Sequence, residues 1–137
     1  MQKDREVRYD TIQLNMKNKK ILIVDDAADL RDILRDKLTQ EGYTTLTAEN
    51  GKIGLETAFK EHPDLILLDI VMPEMDGWGM LTELKNDPWG KTVPVIMLTN
   101  LDDMTSVSQA VEKGTYEYIV KANFELDEIV KMIEKKV

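Results

Sequence analysis

Cysteine is absent from all 137 residues, which removes disulfides, thiol nucleophiles and cysteine-ligated zinc from consideration. Positive charge is in deficit as well. Eighteen basic residues face 26 acidic ones, for a net charge of -8 and a pI near 4.7, the opposite of the basic face that nucleic acid requires. No apolar run approaches the ~20 residues that span a bilayer. The opening MQKDREVRYD has no apolar core and is no secretory signal. A glycine-rich phosphate loop is missing too: Asp25-Asp26-Ala27-Ala28-Asp29 stands where a dinucleotide fold would place G-x-G-x-x-G. Histidine occurs once, at His62 beside Pro63, and reads as a solvated helix-end residue with no catalytic role. These absences leave a reducing, cytoplasmic setting as the expectation, with neither nucleic acid nor membrane as a direct partner.

What is present is a single domain's worth of chain, 42% hydrophobic and 32% charged, with enough apolar residues to bury a core. Residues 1–19 are polar and weakly patterned, and with so little apolar surface to offset ordering entropy they read as a flexible tail. From residue 20 onward the pattern is regular. Short apolar runs fall at 20–24, 43–48, 65–68, 93–98 and 116–120, several of them unbroken, as in strands covered on both faces of a sheet. Between them lie amphipathic stretches. The first, to about residue 40, carries Leu30, Ile33, Leu34 and Leu38 on one stripe, and Gly42 stops it. The second, at 51–60, carries Ile53, Leu55, Ala58 and Phe59. The third, at 77–86, bears Trp78, Met80, Leu81 and Leu84, and is followed by the loop Asp87-Pro88-Trp89-Gly90. A fourth is expected from Asp102 or Asp103 to Lys113, stopped by Gly114, and a last from 124 to 137. Alternation of this kind predicts an α/β fold: a doubly wound, five-stranded parallel sheet with five helices on its two faces, for which the flavodoxin-like strand order 2-1-3-4-5 is one arrangement. Domain organisation follows as a tail over 1–19 and one domain over 20–137.

Polar residues interrupt this scheme where the strands stop. The first strand ends in Asp25-Asp26, the third in Asp69, the fourth in Thr99 and the fifth in Lys121. Parallel strands share one carboxyl edge, so these residues converge from distant positions, and if the order is 2-1-3-4-5 a crevice opens between the first and third strands. Each has a plainer explanation: the aspartate pair as a helix cap, Thr99 as a strand end, Lys121 as a solvated charge. Their coincidence at one edge is the signal. Three crowded carboxylates repel unless a hard cation holds them, and a lysine and a hydroxyl beside them suit a phosphoryl group.

The stretches ILIVDD, LILLDIVMPEMDG, VPVIMLTN and GTYEYIVK, in that order, resemble the response-regulator receiver domain of two-component signalling over about residues 20–137. The resemblance implies a phosphoacceptor module. Asp69 would take the phosphoryl group from a histidine kinase or phosphotransfer protein. Asp26 and Asp69 would bind Mg2+ (or Mn2+), with Asp25 acting mainly through water and the Val71 backbone carbonyl completing the shell. Thr99 and Lys121 would contact the phosphoryl oxygens, and Tyr118 would be the aromatic that changes rotamer on activation. The output would be a surface of the fourth helix, fifth strand and last helix, through which dimerisation is allowed. On this reading the chain is not an enzyme beyond its own phosphoryl transfer and dephosphorylation. Three positions depart from the family's habit: Asn100 where a small residue is usual, Ala122 where proline usually follows the lysine, and Thr115 where alanine is common. Asn100, Val71 and Ala122 are therefore expected to tune access to Asp69 and the pose of Lys121. The peptide before Ala122 is expected trans, or cis under strain.

Competing readings fit less well. A flavin binder lacks its Ser/Thr/Gly-rich loop, and a haloacid-dehalogenase-type phosphatase would carry a second aspartate where this chain has Val71. The alternative that keeps the fold is a phosphorylation-independent interaction module. Met72, Met75, Met80, Met97 and Met104 are expected to pack in the core or loops, Trp78 and Trp89 to be partly buried, and Trp78 to lie near the Asp69 loop.

Overall fold

The computed structural model describes residues 19–99, 117–121 and 124–137. Five strands form one parallel sheet in the order β2-β1-β3-β4-β5: β1 (Lys20–Val24), β2 (Thr44–Ala48), β3 (Leu65–Asp69), β4 (Val95–Thr99) and β5 (Glu117–Val120). Four helices accompany them among the described residues: α1 (Ala28–Gln40), α2 (Gly51–Glu61), α3 (Gly77–Lys85) and α4 (Leu126–Lys136). The fold class and strand order match expectation. The helix expected over 102–113 lies outside the described residues, as do residues 1–18, Asn100, Met104, Thr115 and Ala122. No cis peptide occurs among the described residues.

Period-two alternation in buried strands divides the core into two layers. Leu22, Val24, Ile66, Leu68, Val95 and Met97 face Ala58 of α2 and Met80, Leu81 and Leu84 of α3. Ile21, Ile23, Leu65, Leu67, Ile96, Leu98 and Ile119 face Leu34 and Leu38 of α1 and Ile129, Val130 and Ile133 of α4. The central strand β3 is buried at every position, so its leucines and isoleucine each add about 1.5–3 kcal/mol of burial relative to exposure.

Two helices seat themselves differently from the sequence reading. Ile33 is 50% exposed, because Leu30, Leu34 and Leu38 at i, i+4 and i+8 define the stripe and Ile33 lies to its side. In α2 the large residues Ile53 and Phe59 are exposed, while Gly51, Gly54 and Ala58 face inward. Small residues win there because the helix lies close to the sheet: a Cβ on Gly54 would come within 2.9 Å of the Val24 methyls and the Met80 sulfur.

Element ends shift slightly. Gly42 stops α1 with φ 99°, a left-handed backbone that glycine adopts without penalty. β4 begins at Val95 because Pro94 has no N–H to give a ladder, although its carbonyl accepts from the Ile66 amide at 3.0 Å. Met72, Met80 and Met97 are core residues, and Met75, Trp78 and Trp89 are partly buried against the same layer. The 87–92 segment is pinned from within: Lys85 Nζ donates to the Gly90 and Val93 carbonyls at 2.9 and 2.8 Å, and Asp87 accepts from the Gly90 amide at 2.9 Å.

Candidate functional site

Strand register builds the site. Val24 pairs with Leu68, so Asp25 emerges beside Asp69, and Asp69 itself pairs with Leu98 next to Thr99. Thr99 pairs with Val120, and its carbonyl accepts from the Lys121 amide at 2.7 Å. Four chain segments thus deliver their polar ends to one place. Asp25, Asp26 and Asp69 each offer a carboxylate oxygen, and the three lie within 4.8 Å of one another. Lys121 Nζ lies 2.8 Å from Asp25 Oδ2 and 3.0 Å from Asp69 Oδ1.

Burial distinguishes the members. Asp25 and Thr99 are fully buried and Asp69 is 2% exposed, whereas Asp26 is open to solvent. The aspartate pair does not cap the following helix. Ala27 holds the cap position of α1 with no side-chain capping bond, and Asp25 Oδ1 instead accepts from the Ala27 amide at 2.8 Å. Asp69 Oδ2 is buried with no hydrogen-bond partner among the described residues. Such a group is costly unless something else satisfies it. Burial, and then the charge of Asp25, push the Asp69 carboxyl up to about 7; Lys121 opposes this, and Asp26 adds to it. Burial works against the Lys121 ammonium, but its hydrogen bonds to Asp25 and Asp69 prevail and hold it above its usual value.

This donor set fits a divalent cation of the hard, oxygen-loving kind. All three candidate ligands are carboxylates, Asp69 Oδ2 is buried without a hydrogen-bond partner among the described residues, and Lys121 alone among them pairs with the cluster, leaving excess negative charge. Val71 is 57% exposed at the rim of the same loop.

Other expected residues take defined places. Tyr118, paired with Met97, is partly buried against the α2/α3 layer. Trp78 sits second in α3, next to Gly77, whose amide donates to the Ile70 carbonyl at 2.7 Å and which packs directly on the Asp69 carbonyl. His62 is far from the chemistry. It ends α2 just before β3 starts, with φ 46°, and is exposed but not simply solvated: its ring stacks on Trp89 at 4.2 Å, with Phe59 edge-on to the same indole. Asn100 and Ala122 lie outside the described residues.

Sequence reasoning missed two contributors. Arg31 donates from Nη1 to the Asp25 backbone carbonyl at 2.7 Å, bracing the first acidic residue from the next helix. Asn50-Gly51 joins α2 to the Asp69 loop, with the Gly51 amide donating to the Met75 carbonyl at 2.9 Å. An Asn-Gly pair at a helix start signalled a cap, and Asn50 does accept from the Ile53 amide at 2.9 Å. Its neighbour's tie to a loop distant in sequence left no local trace.

Comparison with known proteins agrees with this geometry. Residues 21–134 match the response regulator receiver domain. The chain is 41% identical over 106 residues to a probable transcriptional regulator, ycf27, of Porphyridium aerugineum, covering 77% of this chain and 43% of that protein. It therefore spans less than half the length of that relative. Among solved structures, the chemotaxis protein CheY4 of Vibrio cholerae superposes with a TM-score of 0.77 at 27% identity, covering 87% of this chain and 98% of that one. The signal receiver domain of a histidine kinase from Syntrophus aciditrophicus does so at 0.76 and 33% identity, over 85% and 88%. Receiver domains interact with histidine kinases or phosphotransfer proteins, and no helix among the described residues is long and apolar enough to cross a membrane. With its parallel sheet, its acidic crevice and its lysine at the end of the last strand, the chain belongs to the receiver domains of two-component response regulators.

Proposed function

We propose that Asp69 is the residue phosphorylated in this receiver domain, with a phosphohistidine of a kinase or phosphotransfer protein as donor. The observation that carries this is the placement of Asp69: a buried carboxylate at the end of the central strand, with Lys121 Nζ 3.0 Å from Oδ1 and no hydrogen-bond partner for Oδ2 among the described residues. In the transfer, an Asp69 oxygen bonds to phosphorus as the phosphorus–nitrogen bond breaks. The electron pair stays with the departing imidazole, which takes up a proton, and the product is a mixed anhydride on Asp69. Lys121 balances negative charge at the phosphoryl oxygens, and Thr99, buried at the adjacent strand end, offers them a hydroxyl. Asp25, Asp26, Asp69 and the Val71 carbonyl would hold Mg2+ or Mn2+, which when bound supplies charge neutralisation. Arg31 and the Ala27 amide keep Asp25 in place.

The chain has no separate substrate on this reading: it catalyses its own phosphorylation and hydrolysis. Its signal passes through Thr99 and Tyr118 to the surface formed with β5 and the last helix, as a shift in conformational population. Partner choice, dimerisation on that face and a cytoplasmic setting belong to the same proposal. The deciding experiment is labelling with acetyl phosphate in Mg2+, read by intact mass. One phosphoryl group should appear on the natural chain and none on Asp69→Asn. Equal labelling of the two would overturn the assignment.

A further inference from the structure

The loop that leaves Asp69, residues 70–76, is closed on itself by two backbone hydrogen bonds. The Gly77 amide donates to the Ile70 carbonyl at 2.7 Å, and the Met75 amide to the Pro73 carbonyl at 2.8 Å. Its rim is open to solvent at Val71, Pro73, Glu74 and Asp76, and Glu74 holds a left-handed φ of 67°. Of its side chains, Ile70 and Met72 are buried and Met75 partly so, so side-chain packing secures the loop at only some of its positions, and none of its last residues is fully buried. The tie from its far end to another element is made by Gly51, the first residue of α2, whose amide donates to the Met75 carbonyl at 2.9 Å.

That tie requires a residue without a side chain. A Cβ at position 51 would overlap the Met75 carbonyl oxygen and come within 2.9 Å of its carbon and 3.0 Å of Met75 Cγ. The first turn of α2 is itself fixed, by the buried Asn50 cap on Ile53 and by Gly54 lying against Val24, the residue before Asp25. Helix α2 therefore bridges the end of β1 and the loop after β3, the two segments that carry the acidic residues.

We propose that Gly51 is a positioning residue for the phosphorylation site: through Met75 it sets the loop that carries the Val71 carbonyl, touching neither metal nor phosphoryl group itself. The inference rests on the site reading above. Two variants in one helix separate it from general destabilisation. In Gly51→Ala the new methyl meets loop backbone, whereas Ala58→Gly, at a buried core position two turns further on, weakens helix and core without reaching that loop. For each, Mg2+ affinity is measured by titration, and amide exchange at Met75 and Gly77 is measured in metal-free protein. Gly51→Ala should weaken Mg2+ binding about tenfold, the scale of a supporting residue behind a metal ligand, and speed exchange of both amides by a similar factor. Ala58→Gly should leave both within about twofold even if it melts at a lower temperature. Identical behaviour of the two variants, or unchanged binding and exchange in Gly51→Ala, would overturn the proposal. If Gly51→Ala does not fold, Asn50→Ala replaces it, loosening the same turn without adding atoms against Met75; unaltered Mg2+ affinity and exchange there would also overturn it. Failure of the natural chain to bind Mg2+ would instead overturn the metal reading, and the exchange comparison alone would then decide whether Gly51 holds the loop.

Discussion

The two ends of the sheet use similar residues to opposite effect. At the amino end, Lys20 lies 3.4 Å from Glu61 with both side chains more than a third exposed, and Asp64 accepts from the Lys20 amide at 2.7 Å. These charges face water or a partner, and His62 stacks on Trp89 nearby. At the carboxyl end, two of three carboxylates are buried, one lysine serves both, and a buried oxygen of Asp69 is left over. The contrast teaches that a charged cluster becomes a reactive site through burial and an imbalance of partners. Acidic composition alone does not distinguish the two.

The largest break in the comparison should come from removing the lysine at each end. Lys121→Ala leaves two buried carboxylates without their counter-charge and should lose about 3 kcal/mol of unfolding free energy in metal-free protein near neutral pH. Lys20→Ala should lose less than about 1 kcal/mol. Urea denaturation measures both, and equal losses would show that the two ends are energetically alike. The second break is by pH. Asp69 titrates at about 7 in the folded protein and near 4 when unfolded, so its protonated form favours folding. That contribution is complete below about pH 4 and is lost as pH rises through about 7, a fall of about 2 kcal/mol between about pH 5 and 7.5 without metal. Asp69→Asn should remove this part of the pH dependence, and a profile unaltered by the substitution would contradict it.

Adding Mg2+ sharpens the contrast from the other side. At ten times its dissociation constant it should stabilise the folded chain by about 1.4 kcal/mol, seen as a rise in Tm that Asp69→Asn reduces and Asp64→Asn does not. The smallest effect concerns the two left-handed residues other than glycine among the described residues, one at each end: Glu74 at φ 67° and His62 at φ 46°. Glu74→Gly should stabilise by about 0.5–1 kcal/mol, relieving a conformation that disfavours a side chain. His62→Gly gains the same relief but loses its stack on Trp89, so its net change should be smaller or reversed. Thermal melts of the two variants give the order directly.

Strand patterning made the fold legible, because buried parallel strands are unbroken apolar runs and their alternation with helices implies a sheet covered on both faces; the strand order is not written in that alternation. The polar residues at the strand ends were legible for a related reason: they stop those runs abruptly. Seating of the helices was less so. Ile33, Ile53 and Phe59 satisfy an amphipathic count, yet Gly51, Gly54 and Ala58 take the inward face of α2, since contact distance rather than hydrophobicity decides that packing. The hold of Arg31 on the Asp25 carbonyl and of Gly51 on Met75 was invisible for a further reason: main-chain acceptors carry no sequence signature. The aspartate pair could cap a helix on local rules, and only the Ala27 cap geometry excluded that.

Lys121 follows the outermost strand of the sheet. β5 is joined on one side only, to β4, and the Lys121 amide extends that ladder by its bond to Thr99. The cation that grips Asp25 and Asp69 is thus mounted on a cantilever, anchored along one edge and with no strand beyond it among the described residues. A pull at its tip is resisted by one row of backbone bonds, by Ile119 packed among the residues of α4 and by the ion pair of Glu117 with Lys136. The lysine is therefore mounted where the sheet has half the strand pairings of β3, which is bonded along both edges.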